Sequence, residues 1–390
     1  MKQKIIDTYY RILHLIRLFG AYTLQFIGRI KPIDSKTILF YAFRRKGLCC
    51  NPKYIMKELI RCYPGEYNLY WISEWPKTVE TGDGYTVIRL RSIGFYLLCG
   101  YAKFIITNDR LDETMIKRKG QVYINTWHGG GLFKKAGYDA VGNEITEKMI
   151  RSFYSNNDYI IASSKKLEVI FQRAFRLDDY RVLPFGMPRS DVFYQKGVVK
   201  KVREKLEIPS DINTVLYAPT CRLNTGNASY FPESEIEILL NALHRRFGGK
   251  WMFLFKMHYF AESVLYKEIP EKVMCCNDYY DTQELLCGMD VLITDYSSLL
   301  WDYSLLDRPA FRYAPDLEIY IDKERDFYLE YDKWPFSYAC NTKALYRQIE
   351  KFDLEEYRKN LEEFRIIIGN FDKGKSAQAF VQWLSREETF

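Results

Sequence analysis

The stretch Asp290-Val-Leu-Ile-Thr-Asp-Tyr-Ser-Ser-Leu-Leu-Trp-Asp-Tyr-Ser-Leu-Leu306 holds the plan of the fold in small. Its branched apolar start, Asp290 to Thr294, predicts a short strand buried on both faces. Leu299 to Leu306 predicts an apolar helix. Between them Thr294-Asp295-Tyr296-Ser297-Ser298 gathers hydroxyls and backbone N–H groups where a strand hands over to a helix, an arrangement that can cradle a phosphate. Serine there is also the commonest helix cap. The added Thr294, Asp295 and second serine favour a ligand site.

Outward from this unit the pattern repeats. Strands are expected at 37–43, 68–73, 85–89, 103–107, 122–126, 158–162 and 181–184. A helix is expected from Pro52 to Cys62 behind an Asn51 cap. A polar, basic stretch, 195–213, reads as a crossing between domains. A second series follows, with strands at 214–218, 251–255, 272–275 and 290–294 and a helix over 234–247. Charged helices close the chain around 354–368 and 375–386. Short apolar strands separated by helices predict an α/β chain of two doubly wound parallel-sheet domains, with ligands outside the carboxyl strand ends and between the domains. The expected divisions are 1–34, 35–200, 201–370 and a C-terminal helix at 371–390 that packs back on the first domain.

Composition narrows the function. The chain has 390 residues, long for one domain, and 47% are hydrophobic, so each half can bury a core. A net charge of +7 suits phosphate-bearing substrates or an anionic membrane surface, and lacks the dense basic block of a nucleic-acid binder. Nine cysteines without Cys-x-x-Cys, and no cleavable signal peptide, point to a reducing cytoplasm. Four scattered histidines give no metal-ligand spacing, so no metal is expected. Residues 2–31 mix Leu, Ile and Phe with Arg and Lys. They fit an amphipathic, membrane-associating helix or an ordinary surface helix equally, and are too often interrupted by charge to span a bilayer.

Other strand ends carry candidate chemistry. Asn125-Thr-Trp-His128-Gly129-Gly130-Gly131-Leu-Phe-Lys134-Lys135 places a histidine, the natural general base near neutral pH, before three glycines that allow close backbone approach. Tyr217-Ala-Pro-Thr-Cys-Arg222 and Phe255-Lys256-Met-His258 put cations where a diphosphate could be neutralised. Gly186-Met-Pro-Arg189-Ser-Asp191 reads as a structural or hinge turn, with Arg189 pairing locally to Asp191. Asp302 and the carboxylates of 307–316 are expected to be mostly solvated.

These motifs, in this order, resemble those of the CDP-glycerol glycerophosphotransferase family. His128-Gly-Gly-Gly-Leu-Phe-Lys134 is similar to its His-Gly-x-Pro-x-Lys, Tyr217 to Arg222 to its Tyr-x-Pro-Thr-x-Arg, and Lys256-Met-His258-Tyr259 to its Arg-x-His-Pro. Its Thr-Asp-Tyr-Ser-Ser is matched in full at Thr294–Ser298. The resemblance implies a GT-B fold of two Rossmann-like domains facing a cleft. It implies His128 as catalytic base and Gly129, Gly130, Gly131 and Lys134 as an acceptor-side loop. Arg222, Lys256, His258, Thr294, Asp295, Ser297 and Ser298 would be the donor-binding set. The implied reaction transfers a polyol phosphate from a CDP-activated donor, CDP-glycerol before CDP-ribitol, to a lipid-linked teichoic-acid-like or capsular acceptor, releasing CMP. It needs no cofactor beyond the co-substrate. The implied setting is cytoplasmic and peripheral, on the inner face of the cell membrane. A GT-B glycosyltransferase using a nucleotide-sugar is the alternative reading. The loop departs from the family pattern by a glycine in place of proline, and the third motif by Lys256 and Tyr259.

Overall fold

A computed structural model describes residues 2–43, 47–131, 134–142, 146–220, 222, 230–257, 272–323 and 326–387, with side chains from residue 9 onward. Runs such as Ile38-Leu-Phe-Tyr41 carry no polar alternation, and all four residues are at most 1% exposed. They must therefore be covered on both faces, and a parallel sheet with flanking helices does this.

The first half forms β1 (Asp34–Tyr41), β2 (Asn68–Ser73), β3 (Thr86–Arg89), β4 (Ala102–Thr107), β5 (Val122–Asn125), β6 (Tyr159–Ile161) and β7 (Val182–Leu183). Among the described residues these make one seven-stranded parallel sheet of order β3-β2-β1-β4-β5-β6-β7. The second half forms β8 (Ile212–Tyr217), β9 (Lys250–Phe255), β10 (Val273–Cys275), β11 (Val291–Thr294), β12 (Ala310–Tyr313) and β13 (Tyr338–Ala339), in the order β10-β9-β8-β11-β12-β13. Both orders reverse direction beside the first strand, between β1 and β4 and between β8 and β11. Crevices open at such switch points.

Two strands were not expected: β12 lies within the carboxylate-rich run 307–316, and β13 lies beyond it. They are four and two residues long, too short for a periodic signal. The helix expected at Pro52 begins at Cys50 with Cys49 as its N-cap, so Asn51 is not the cap and its side chain serves elsewhere.

Among the described side chains, the contacts that fix the N-terminal helix, Lys2–Gly28, to the first body lie in its second half. Gly28 and Gly100 allow its backbone to cross the helix Ile93–Tyr101. A Cβ on Gly28 would lie 2.3 Å from the Leu97 carbonyl oxygen, and one on Gly100 2.6 Å from that of Gln25. The Gln25 amide also donates to the Thr114 carbonyl at 2.6 Å. Toward its start Tyr9, Tyr10, Leu15, Ile16 and Phe19 are all exposed.

The chain crosses between the bodies twice. After the second sheet it returns, and the helix Ser376–Glu387 lays Phe380, Val381 and Leu384 into the core under the first sheet. Two buried carboxylates secure this return. Asp191 accepts the Ser376 and Ala377 N–H groups at 2.9 and 2.8 Å. Asp372 accepts the Met187 N–H at 2.6 Å and the Trp301 indole N–H at 3.2 Å. Burial outweighs these donors and pushes Asp191 up to about 6 and Asp372 up to about 7.

The native state thus holds these protons more tightly than the unfolded chain, whose aspartates titrate near 3.8. Their stabilising contribution is complete below about pH 4 and is lost as pH rises through about 7. Thermal unfolding of wild type is expected to fall in Tm between pH 5 and pH 8, and Asp372→Asn should flatten that slope. Parallel slopes in the two proteins would show that Asp372 does not carry it.

Candidate active site

At the carboxyl end of β5 the chain makes an abrupt turn. Trp127 sits at φ +54°, a left-handed conformation costly for an aromatic residue, by roughly 1–2 kcal/mol. Three hydrogen bonds hold it there. Its N–H donates to Asn125 Oδ1 at 2.9 Å, and Asn51 Nδ2 donates to the carbonyls of Thr126 and Trp127 at 2.7 and 3.1 Å. Asn51 Oδ1 in turn accepts the Arg189 N–H at 3.0 Å.

This turn throws the exposed side chain of His128 into the cleft between the bodies. His128 Nδ1 lies 2.9 Å from the carbonyl oxygen of Asn108. A carbonyl can only accept, so Nδ1 carries the proton and Nε2 keeps its lone pair, the tautomer of a general base. The Trp127 ring stacks on the imidazole at 5.0 Å between centroids, and Phe43 meets it edge-on at 5.7 Å. The ring is therefore clamped by contacts from three strand ends.

The glycines after His128 are needed for packing against the other body. A Cβ on Gly130 would lie 1.8 Å from Trp301 Cδ1, and one on Gly129 3.3 Å from Ser298 Oγ. Gly131 has φ +73°. The loop thereby brings His128, Ser297 and Ser298 to one cavity of about 370 Å³, which Lys134, Thr220 and Lys256 also line. Ser297 Oγ accepts the Leu299 N–H at 3.3 Å, which sets the turn into the helix Leu299–Ser304.

The remaining donor-side residues are placed differently from expectation. Arg222 is turned inward: it pairs with Asp295 at 2.8 Å and forks onto Asp316 at 2.8 and 3.0 Å, its guanidinium 4.9 and 5.1 Å from the Tyr296 and Tyr320 rings. Asp295 also accepts the Thr220 N–H at 2.9 and 3.1 Å, and Thr294 Oγ1 donates to the Ala218 carbonyl at 2.6 Å. These three residues are 6%, 1% and 0% exposed, so they tie together the two loops of the β8/β11 switch point and do not face the cavity. Lys256 reaches the cavity wall, but its ammonium donates to the carbonyls of Cys276, Asn277 and Tyr279, and burial pushes it below its usual range. His258 lies outside the described residues. Lys134 pairs with Phe327 in an antiparallel bridge, with its ammonium 5.5 Å from the Tyr320 ring centroid.

Asp302 and Asp316 are buried, not solvated, and Arg189 does not pair with Asp191. Arg189 Nη2 pairs with Asp302 at 2.8 Å while Nη1 donates to the His128 carbonyl at 2.9 Å. Gln283 Nε2 donates to Asp302 at 2.9 Å. Burial raises the Asp302 carboxyl against the pull of Arg189 and Gln283. The sequence assigns Asn51 only a capping role and Phe43 only a place in a strand, and it does not single out Asn108. Only Asn108 carried a signal, as a polar residue at the end of a central strand beside the switch point.

Residues 23–385 match a family model described as CDP-glycerol:poly(glycerophosphate) glycerophosphotransferase. The chain is 30% identical to the teichoic acid poly(glycerol phosphate) polymerase of Bacillus spizizenii, across 98% of this chain and 100% of that protein. It is 31% identical to the Staphylococcus epidermidis protein of the same description, across 89% of this chain, and spans 50% of that protein's length. The solved structure of the wall teichoic acid polymerase TagF superposes with a TM-score of 0.84 at 26% identity, over 99% of this chain and 97% of that one.

Asn51→Ala leaves two carbonyls and the Arg189 N–H without their partner and should cost about 1–3 kcal/mol in chemical denaturation. Imidazole ¹⁵N resonances should report the Nδ1–H tautomer of His128 in wild type and a tautomer mixture in the variant. An unchanged tautomer in Asn51→Ala would remove Asn51 as the residue that positions His128.

Proposed function

The chain belongs to the CDP-glycerol:poly(glycerophosphate) glycerophosphotransferase family and is a transferase, and from that premise we propose that it moves glycerol phosphate from CDP-glycerol to a hydroxyl of a lipid-linked, teichoic-acid-like acceptor. The observation that carries this reading is the exposed imidazole of His128, oriented through Nδ1 by the Asn108 carbonyl, in the same cavity as Ser297 and Ser298 of the other body.

The acceptor hydroxyl gives its proton to Nε2 as its oxygen attacks the β-phosphorus of the donor. A new phosphodiester bond forms, the bridging P–O bond of the diphosphate breaks, and CMP leaves with the electron pair. The Ser297 and Ser298 hydroxyls stand at the cavity wall to meet the phosphate oxygens. Lys256 contributes the field of its charge from the same wall, since its protons are committed to backbone carbonyls. Arg222, Thr294 and Asp295 keep the donor loops in place. Lys134 and the glycines form the acceptor-side rim, beside the apolar surface of Trp127, Leu167 and Phe171.

The expected experiment is transfer of label from CDP-glycerol, with CDP-ribitol and a UDP-sugar in parallel. CDP-glycerol should be used best, and His128→Ala should lower kcat roughly a hundred- to ten-thousandfold. Transfer from the UDP-sugar alone, or undiminished turnover by the variant, would refute the reading.

No described helix is long and apolar enough to cross a membrane. The first part of the N-terminal helix nevertheless exposes Ile12, Leu13, Ile16 and Phe19, with Arg11 and Arg17 in the same turns. We place it in the interface of the inner membrane leaflet, where lipid-linked acceptors sit. Wild type should sediment with anionic vesicles, and Leu13→Asp with Phe19→Asp should largely abolish this. Equal sedimentation of both would contradict it.

A further inference from the structure

A second cavity, of about 680 Å³, lies behind the cleft, where both bodies meet the two crossings of the chain. The pair between Lys53 and Asp281, at 2.5 Å and reinforced by the Tyr54 hydroxyl at 2.9 Å, separates it from the active site. Residues of the helix Cys50–Cys62 line one wall, and residues of 194–201 and 374–378 line the others.

The lining is basic. Lys53, Lys57, Arg61, Lys196, Lys201 and Lys375 face three acids, Glu58, Asp191 and Glu284. All three acids are engaged. Glu58 holds Arg61 at 2.6 Å, Glu284 holds Lys201 at 2.6 Å and Lys53 at 3.5 Å, and Asp191 accepts the two N–H groups at the start of the C-terminal helix. Lys57, Lys196 and Lys375 have no carboxylate partner among the described residues. Lys57 is crowded by its own side: partial burial, then the charges of Lys53 and Lys201, push its ammonium down. Like charges drawn from different elements around one concavity are relieved by an anion that enters it.

The shape of the charge selects among anions. Lys53, Lys57 and Arg61 recur every fourth residue on one helix face, which sets them about 6 Å apart along the wall. Lys196, Lys201 and Lys375 continue the charge along the groove. A row fits an extended chain of repeated negative charges better than one compact ion. We propose that this rear groove binds a polyol-phosphate chain, holding several phosphodiester groups of the growing product away from the active site. The chemical class of this ligand rests on the reading of the chain as a polyol-phosphate transferase.

The test measures binding without any donor nucleotide, so it does not depend on turnover. Fluorescein-labelled oligo(glycerol phosphate) is titrated with wild type, with a variant carrying Lys57→Glu, Lys196→Glu and Lys375→Glu, and with a control of equal charge change, Lys166→Glu, Lys343→Glu and Lys359→Glu. All six lysines are exposed. Wild type and control are expected to bind alike, the groove variant at least about tenfold more weakly, and wild-type affinity to fall as salt is raised. Inorganic phosphate should compete poorly. With an acceptor already carrying one unit, the groove variant should keep its initial transfer rate within about twofold and make shorter products.

Equal binding by groove variant and control, absence of binding by wild type, or equal competition by inorganic phosphate would each overturn the proposal. Binding of the oligomer by the groove in a chain that transfers nothing from CDP-glycerol would instead sink the transferase reading and leave the groove standing as a polyanion site.

Discussion

The ion pair between Arg189 and Asp302 joins the two halves of the active site. Both side chains are almost completely buried, and each reaches a different half of the chemistry. Arg189 holds the carbonyl of His128, and Asp302 lies within the helix Leu299–Ser304 that follows Ser297 and Ser298. Breaking one partner of such a pair leaves an uncompensated buried charge, typically costing about 3–5 kcal/mol. The distance between base and phosphate-facing hydroxyls is thus set by a contact that either half alone would find unfavourable. Gln283 donates to Oδ2 of Asp302, the oxygen nearest Arg189, while Arg189 also reaches Oδ1, and the Arg189 backbone N–H is satisfied by Asn51.

The rest of the site follows from that contact. Because the bodies are held close, the loop after His128 must pass Trp301 with no side chain at Gly130. Because Asn51 serves both the Trp127 turn and Arg189, the orientation of the base and the position of the second body are one arrangement. The switch-point loops of the second sheet are rigid for another reason. Arg222, Asp295, Asp316 and Tyr296 satisfy each other beneath the cavity floor, and the serines above them inherit that rigidity.

Much of this was legible in the sequence where the signal is local. The strand Asn68–Ser73 and the helix Leu354–Ile368 have the bounds their apolar spacing predicts. His128 and the two serines were found by their place at carboxyl strand ends, a rule that depends only on fold class. Arg222 shows where such reading stops. A cation at a strand end suits a diphosphate and an internal ion pair equally, and the choice is made by Asp316, 94 residues away. Asn51 was read as a cap because caps are local, whereas its partners lie 75 and 76 residues on. The triple glycine did announce a close approach, and at Gly130 the approaching group is Trp301 of the other body.

The returning C-terminal helix has a consequence for how the chain is made. The core under the first sheet is closed by Phe380, Val381 and Leu384, which leave the ribosome only after every strand of the second sheet. The first body to be synthesised is therefore the last to be finished. Its open face, around the helix Cys50–Cys62, waits uncovered through the synthesis of the entire second half, a window in which a nascent chain is most exposed to chaperones and to aggregation.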